Sequence, residues 1–363
     1  MARELTGPAG DAASAPRKHF RTASEAFERA ADAAGAVERS YSLGGYAIKL
    51  RFAGHAIVGH LTPALAHRAG ECAAAPDLEI CLWDTASTGV GLPPPGWGAD
   101  AYGAQGAIKG FNDARYFTNV WLDTERGGFA AFQMLDQQSC RALYWLPDAA
   151  EFPYHERSAP LRMILNWWMG RRGRQVLHAG AVGGARGGVL LAGRGGSGKS
   201  TTALTCLSSG LRYASDDYCL VEFGATPRAH SLYCSAKLCA DNLQRLPDFA
   251  PLVSNRSRLA EEKAIMYLDG RFGARLVESF PIRAVLMPRV TGLPETSLTK
   301  AAGAAALTAL APSTIFQLPG AGARDFHQLA ELVRRVPSYT LALGTDVSGI
   351  PPVIENLLSE LEA

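Results

Sequence analysis

The sequence predicts an α/β (α+β) protein in two parts: a smaller strand-rich N-terminal domain, then a larger domain alternating strands and helices around a glycine-rich loop. Three observations carry this. Residues 40–157 hold short runs of alternating apolar and polar residues, the period of a half-buried strand. From Val176 the texture changes to short apolar strands interleaved with helical segments. Between one such strand and one such helix lies Gly193-Arg-Gly-Gly-Ser-Gly-Lys-Ser200. The length of 363 residues agrees, since domains average about 150 residues.

Residues 1–39 form a tail and a short helix. The first 16 are rich in Ala, Gly and Pro and read as unstructured. Thr22-Ala-Ser-Glu25 has the form of a capping box opening a helix to about Glu38. In the N-terminal domain, Tyr46–Phe52, Leu78–Trp83, Tyr116–Asp123 and Gly128–Met134 read as strands. Leu61–Arg68 reads as a short helix and Gly91–Gly98 as a loop. His55, His60 and His67 are loosely spaced and lack supporting carboxylates, so they do not form a metal-ligand set.

The second domain spans residues 158–363. Ser158-Ala-Pro160 opens a helix through Trp167-Trp168 that ends at Arg171-Arg172-Gly173, with the Trp pair read as packing. Leu177–Val182 and Gly187–Ala192 are strands, and Lys199–Ser209 is a helix closed by Gly210. Arg212–Ser215, Tyr218–Phe223, Ile282–Val290 and Ser338–Leu343 are further strands; Phe326–Val336 and Pro352–Glu362 are helices.

Composition bounds the function. The formal charge of +2 offers no general attraction for nucleic acid or an anionic membrane. No uncharged apolar run reaches the roughly 18 residues of a membrane span, and the N-terminal residues lack the apolar core of a signal peptide. Seven cysteines without a C-x-x-C pair read as thiols of a reducing compartment. A cytoplasmic protein is expected, with a homo-oligomer left open.

The chemistry sits in three places. In the loop, Gly193, Gly195, Gly196 and Gly198 free the backbone so that successive N–H groups, with Arg194 and Ser197 between them, can surround a phosphate at a helix N-terminus. Lys199 is placed to reach the β- and γ-phosphates, Ser200 to ligate Mg2+, and Thr201 to continue the binding turn. Seventeen residues beyond Lys199, at a strand end, Ser215-Asp216-Asp217 supplies two carboxylates. One can hold the metal while the other takes the proton of an attacking hydroxyl. His178 lies fifteen residues before Gly193, and spacing alone leaves its role open.

Leu177-His-Ala-Gly-Ala-Val182, Gly187 through Leu204 and Gly210-Leu-Arg-Tyr-Ala-Ser-Asp-Asp-Tyr218 together resemble the C-terminal domain of HPr kinase/phosphorylase, closely over about 50 residues and more loosely over 160–363. The resemblance implies the P-loop fold variant shared with phosphoenolpyruvate carboxykinase. It implies Asp216 as acid/base, Asp217 beside the metal, His178 near the phosphates, and Lys199 and Ser200 as P-loop lysine and metal ligand. An ATP- and Mg2+-dependent kinase of a Ser or Thr hydroxyl on a protein or peptide is then expected, with GTP or pyrophosphate open as donors. Two departures stand out. Thr201 replaces the family's usual Glu, which bears on metal handling and on any phosphorylase back-reaction. Ser231–Leu238 stands where the glycine-rich signature is expected. Lys237, Lys263 and Arg289 read as surface charges that could reach phosphates. Two other classes stay open: a kinase of a small hydroxylated metabolite, and a nucleotide-dependent binding or assembly protein that transfers nothing.

Overall fold

A computed structural model describes residues 14–70, 75–97, 115–122, 129–152, 154–318 and 323–361. The reading of residues 1–13 as a tail lies outside them. The described chain is mixed α and β, in two compact units. One comprises Met1–Ser42, Tyr46–His60 and Gly70–Pro153; the other Leu43–Gly45, Leu61–Ala69 and Tyr154–Ala363.

In the first unit, α1 (Ser14–Ala34) precedes β1 (Ala36–Leu43), β2 (Tyr46–Ala53), α2 (Val58–Leu61), β3 (Leu78–Asp84), α3 (Thr85–Thr88), β4 (Tyr116–Leu122), β5 (Phe129–Asp136) and β6 (Arg141–Leu146). The strands form one sheet in the order β1-β2-β3-β6-β5-β4. Phe20, Ala23, Phe27 and Ala30 form the buried stripe of α1 and pack with Trp83, Phe132 and Leu143. This stripe corrects the capping-box reading. Thr22 lies inside the helix, its hydroxyl donating to the His19 carbonyl at 3.1 Å, because burial of Phe20 carries the helix past the polar cap signal.

The second unit holds α4 (Tyr154–Ser158), α5 (Arg162–Gly170), β7 (Arg174–Leu177), β8 (Gly180–Gly183), β9 (Gly188–Leu191), α6 (Lys199–Ser209), β10 (Arg212–Ser215), β11 (Cys219–Glu222), β12 (Arg228–Ser231), β13 (Ser235–Leu238), α7 (Ala240–Leu243) and β14 (Ala264–Tyr267). There follow α8 (Asp269–Phe272), β15 (Ser279–Val290), β16 (Ser297–Ala301), α9 (Gly303–Gln317), α10 (Ala323–Arg335), β17 (Ser338–Leu343) and α11 (Ile350–Glu360). The helix expected from Ser158 starts instead at Arg162. Leu161 before it is left-handed (φ 59°), and its N–H donates to the buried Glu156 carboxylate. Trp167 and Trp168 are buried, as packing requires.

The run Leu177–Val182, read as one strand, is two. The Ala179 N–H donates to the Leu177 carbonyl at 2.9 Å, a three-residue turn that ends β7 and starts β8. β7 pairs with β11, whereas β8 pairs with β9 and β10. The twelve-residue β15 joins the two halves: its start pairs with β12, its end with β9 and, in parallel, with β17. β9, β15 and β17 therefore run the same way. β8 is antiparallel to β9 and to β10, so β10 also ends at the edge where β9 ends and β8 begins. The core beneath this edge includes Val189, Leu191, Leu204, Leu286 and Leu341.

Candidate active site

The loop 193–198 leaves β9 at that edge and runs directly into α6, the strand–loop–helix setting its sequence implies. Its glycines have stated reasons. Gly198 has φ +103°, and a Cβ there would lie 2.3 Å from Leu343 Cδ1. Gly195 and Gly196 would meet nothing within 4 Å, so the loop presents bare backbone to open space. Lys199 is buried and folds back over the loop, Nζ donating to the Gly193 carbonyl at 2.6 Å. Burial lowers its pKa, against the pull of Asp217 and Asp216. Ser197 Oγ is buried without a partner among the described residues.

Asp216 and Asp217 follow directly on the end of β10, and the turn before β8 carries His178. Asp217 accepts from His178 Nε2 at 2.7 Å and from Lys237 Nζ at 2.7 Å. Asp216 lies deeper. Its Oδ2 accepts the Lys237 backbone N–H at 3.0 Å, and its Oδ1 lies 3.3 Å from the Tyr213 hydroxyl. Lys237, on β13, thus touches both carboxylates: one through its amide, the other through its ammonium. The expectation of a surface charge there is corrected, because pairing to Asp217 makes burial of the ammonium tolerable. His178 is held on both sides. Its backbone N–H donates to Thr314 Oγ1 at 3.2 Å, and its ring meets Tyr218 at 5.1 Å between centroids. Tyr218 in turn lies under Arg162, which is ion-paired with buried Glu156.

The two carboxylates separate electrostatically. Burial, then the neighbouring Asp217 charge, pushes Asp216 up to about 6, despite the opposing Lys237 and Ser200. Burial alone would raise Asp217 too, but the Lys237 ammonium and the His178 hydrogen bond hold it well below the usual carboxylate range. Burial acts to lower Lys237, and Asp217 outweighs it, so its pKa is raised.

The loop, Asp217, His178 and Lys237 line one cavity of about 810 Å3, mouth included. Arg194, Lys199, Lys237, Arg245 and Lys263 also line it, against the single carboxylate of Asp217; such a surplus of cations suits a polyanion. Ser200 and Thr201 line it as well, whereas Arg289 is exposed and not part of the lining. No group of three or more His, Cys, Asp or Glu among the described residues could hold a metal ion alone. Mg2+ bound with a triphosphate asks for less, typically one or two carboxylates plus phosphate oxygens. The Ser200 hydroxyl beside Asp216, with Asp217 next to it, provides that donor set. Elsewhere, His67 Nε2 is bonded to Ser231 Oγ at 2.8 Å and His60 stacks on Phe152. No helix among the described residues is long and apolar enough to cross a membrane.

Sequence reasoning named Lys237 only as a surface charge that could reach phosphates, and missed its contacts with the Asp pair along with Thr314 and Tyr213. Only Lys237 carried a signal, a lone cation twenty residues past Asp217. No protein-family model matches this chain, and no curated protein matches it. Among solved structures, the HPr(Ser) kinase/phosphatase from Coxiella burnetii aligns with 52% of this chain and 99% of its own, at 12% identity and a TM-score of 0.30. At that identity and score the likeness is weak, and the chemistry of the site stands on its own residues.

Proposed function

We propose that this chain is an ATP-dependent phosphotransferase that passes the γ-phosphoryl group to a Ser or Thr hydroxyl of a protein or peptide. One observation carries the reading: a glycine-loop phosphate cradle and two carboxylates of unequal proton affinity converge on one sheet edge. A protein that only binds nucleotide has no need of a carboxylate tuned to accept a proton near neutrality.

The backbone of 193–198 and the α6 N-terminus hold the phosphates, and Lys199 turns from its own loop to the transferring group. Mg2+, held by Ser200 and Asp217, would supply charge neutralisation on the phosphate oxygens. Asp216 takes the proton of the acceptor hydroxyl as its oxygen bonds to phosphorus and the bond to the β-phosphate oxygen breaks, leaving ADP. Lys237 and His178 fix Asp217 in place, and the Lys237 ammonium adds positive charge where negative charge gathers.

The test uses γ-labelled ATP with Mg2+ and panels of Ser/Thr peptides and small hydroxylated metabolites. Label should pass to a peptide hydroxyl, and Asp216→Asn should keep nucleotide binding while losing transfer. Transfer by Asp216→Asn at the wild-type rate would remove the base assignment. Label on a metabolite alone would replace the peptide acceptor, and binding without any transfer would favour an assembly role.

A further inference from the structure

We propose that the ends of β15 and β17 form a purine ledge: an apolar platform that seats the nucleobase of the bound triphosphate by shape and accepts adenine and guanine alike. The inference rests on the phosphate-cradle reading and extends it to the rest of the ligand.

Sheet order gives the direction. The cradle leaves β9. On one side of β9 lie β8, just after His178, and β10, just before Asp216 and Asp217. On the other lies β15 and, paired to it in parallel, β17, with Val290 opposite Leu343 at their last positions. Ligands of parallel sheets collect at the carboxyl ends of the strands. A triphosphate whose γ end faces the carboxylates therefore extends its nucleoside toward Val290 and Leu343.

The surface there has the right character. Val290 lines the cavity and is 63% exposed, so its methyl groups are open to a ligand there. Val290 and Leu343 adjoin the cradle itself: a Cβ on Gly198 would lie 3.8 Å from Val290 Cγ2 and 2.3 Å from Leu343 Cδ1. Val347 and Ile350 continue the apolar lining beyond Gly344. Polar groups are few on this side of the cavity. Arg245 gives one N–H to the Thr345 carbonyl and keeps its other donors, and the Asn242 amide lies in the same lining. Both purines present the N7 acceptor to such donors, and one amide can turn to offer either a donor or an acceptor, so neither group separates adenine from guanine by itself. Affinity here comes from apolar contact, which every purine provides.

The experiment measures equilibrium binding of Mg-ATP, Mg-GTP and Mg-tripolyphosphate to the full chain and to Val290→Ser/Val347→Ser, residues outside the transfer machinery. Wild type should bind ATP and GTP within about threefold of each other, and both about tenfold or more tighter than tripolyphosphate. The double variant should lose most of that advantage and keep its tripolyphosphate affinity, and an unchanged thermal midpoint confirms that it is folded. Tripolyphosphate binding as tightly as ATP to wild type would overturn the ledge, as would an equal loss for all three ligands or a tenfold preference between ATP and GTP. Failure of all three to bind wild type would instead overturn the cradle, and the ledge with it.

Discussion

Replacing Asp216 by asparagine should make the protein more stable while removing phosphoryl transfer. The folded-state pKa of Asp216 is raised from 3.8 to about 6, chiefly by burial and then by the charge of Asp217. The folded state therefore binds a proton more tightly than the unfolded chain, and ionisation costs stability as pH rises from about 4 through 6. The full cost, reached above pH 7, is about 3 kcal/mol. Asparagine stands in for the protonated acid: its carbonyl oxygen can still accept the Lys237 N–H, and it carries no charge to desolvate. Urea unfolding, followed by the fluorescence of buried Trp167 and Trp168, reads the difference between the variant and wild type. It should be about 3 kcal/mol at pH 8, about 1.5 at pH 5 and about 0.5 at pH 4. Titrations of groups remote from Asp216 are common to both proteins and cancel in the comparison. A variant no more stable than wild type at pH 8, or a difference that did not shrink toward pH 4, would refute the claim that this carboxylate is held ionised against its surroundings.

Two further outcomes follow from the same logic. Lys237→Met keeps the amide on Asp216 but strips the cation from Asp217; a loss of about 2 kcal/mol and about tenfold weaker Mg-ATP binding are expected, and unchanged urea and titration curves would show the pair to be idle. His19, buried in the first unit with neither ring nitrogen bonded among the described residues, has its pKa lowered by burial to about 4. The neutral ring is favoured in the fold, so its contribution is complete above pH 6.5 and is lost as pH falls toward 4, by about 3 kcal/mol. His19→Leu should flatten urea stability between pH 7 and 4.5, and an unaltered slope would place the acid sensitivity elsewhere.

The parts of the site legible in sequence were those whose geometry is enforced locally. Gly198 must adopt φ +103° whatever surrounds it, so the cradle and the start of α6 can be read from eight residues. The rest depends on partners distant in the chain. Leu177–Val182 alternates like a single strand, and nothing within it shows that β7 and β8 pair with different neighbours; the turn that thrusts His178 toward Asp217 is a tertiary result. The sequence reading passed over the four-residue strands β12, β13 and β14, which lack the adjoining glycine loop or acid pair that marks the equally short β9, β10 and β11. With β13 unseen, Lys237 had no visible reason to be buried. Helix α9 was likewise invisible because its Ala-rich face offers no polar contrast, yet it brings Thr314 to the backbone of His178.

The division of labour between the carboxylates is the least local property of all. Asp216 and Asp217 are chemically identical neighbours, and no sequence rule assigns them different proton affinities. The difference arises because consecutive residues at a strand end point to different surroundings. Asp217 lines the cavity, where an ammonium and an imidazole meet it; Asp216 is more deeply buried beside the Ser200 hydroxyl at the cavity wall, where it receives one amide N–H and lies near the Tyr213 hydroxyl. Lys237 enforces the asymmetry, since its ammonium pairs directly with one carboxylate and it touches the other only through its backbone N–H. An arginine at this position could keep the amide contact but would spread its charge over a wider fork. The separation between the two acids should then narrow, and with it the separation of base from metal ligand on which the transfer depends.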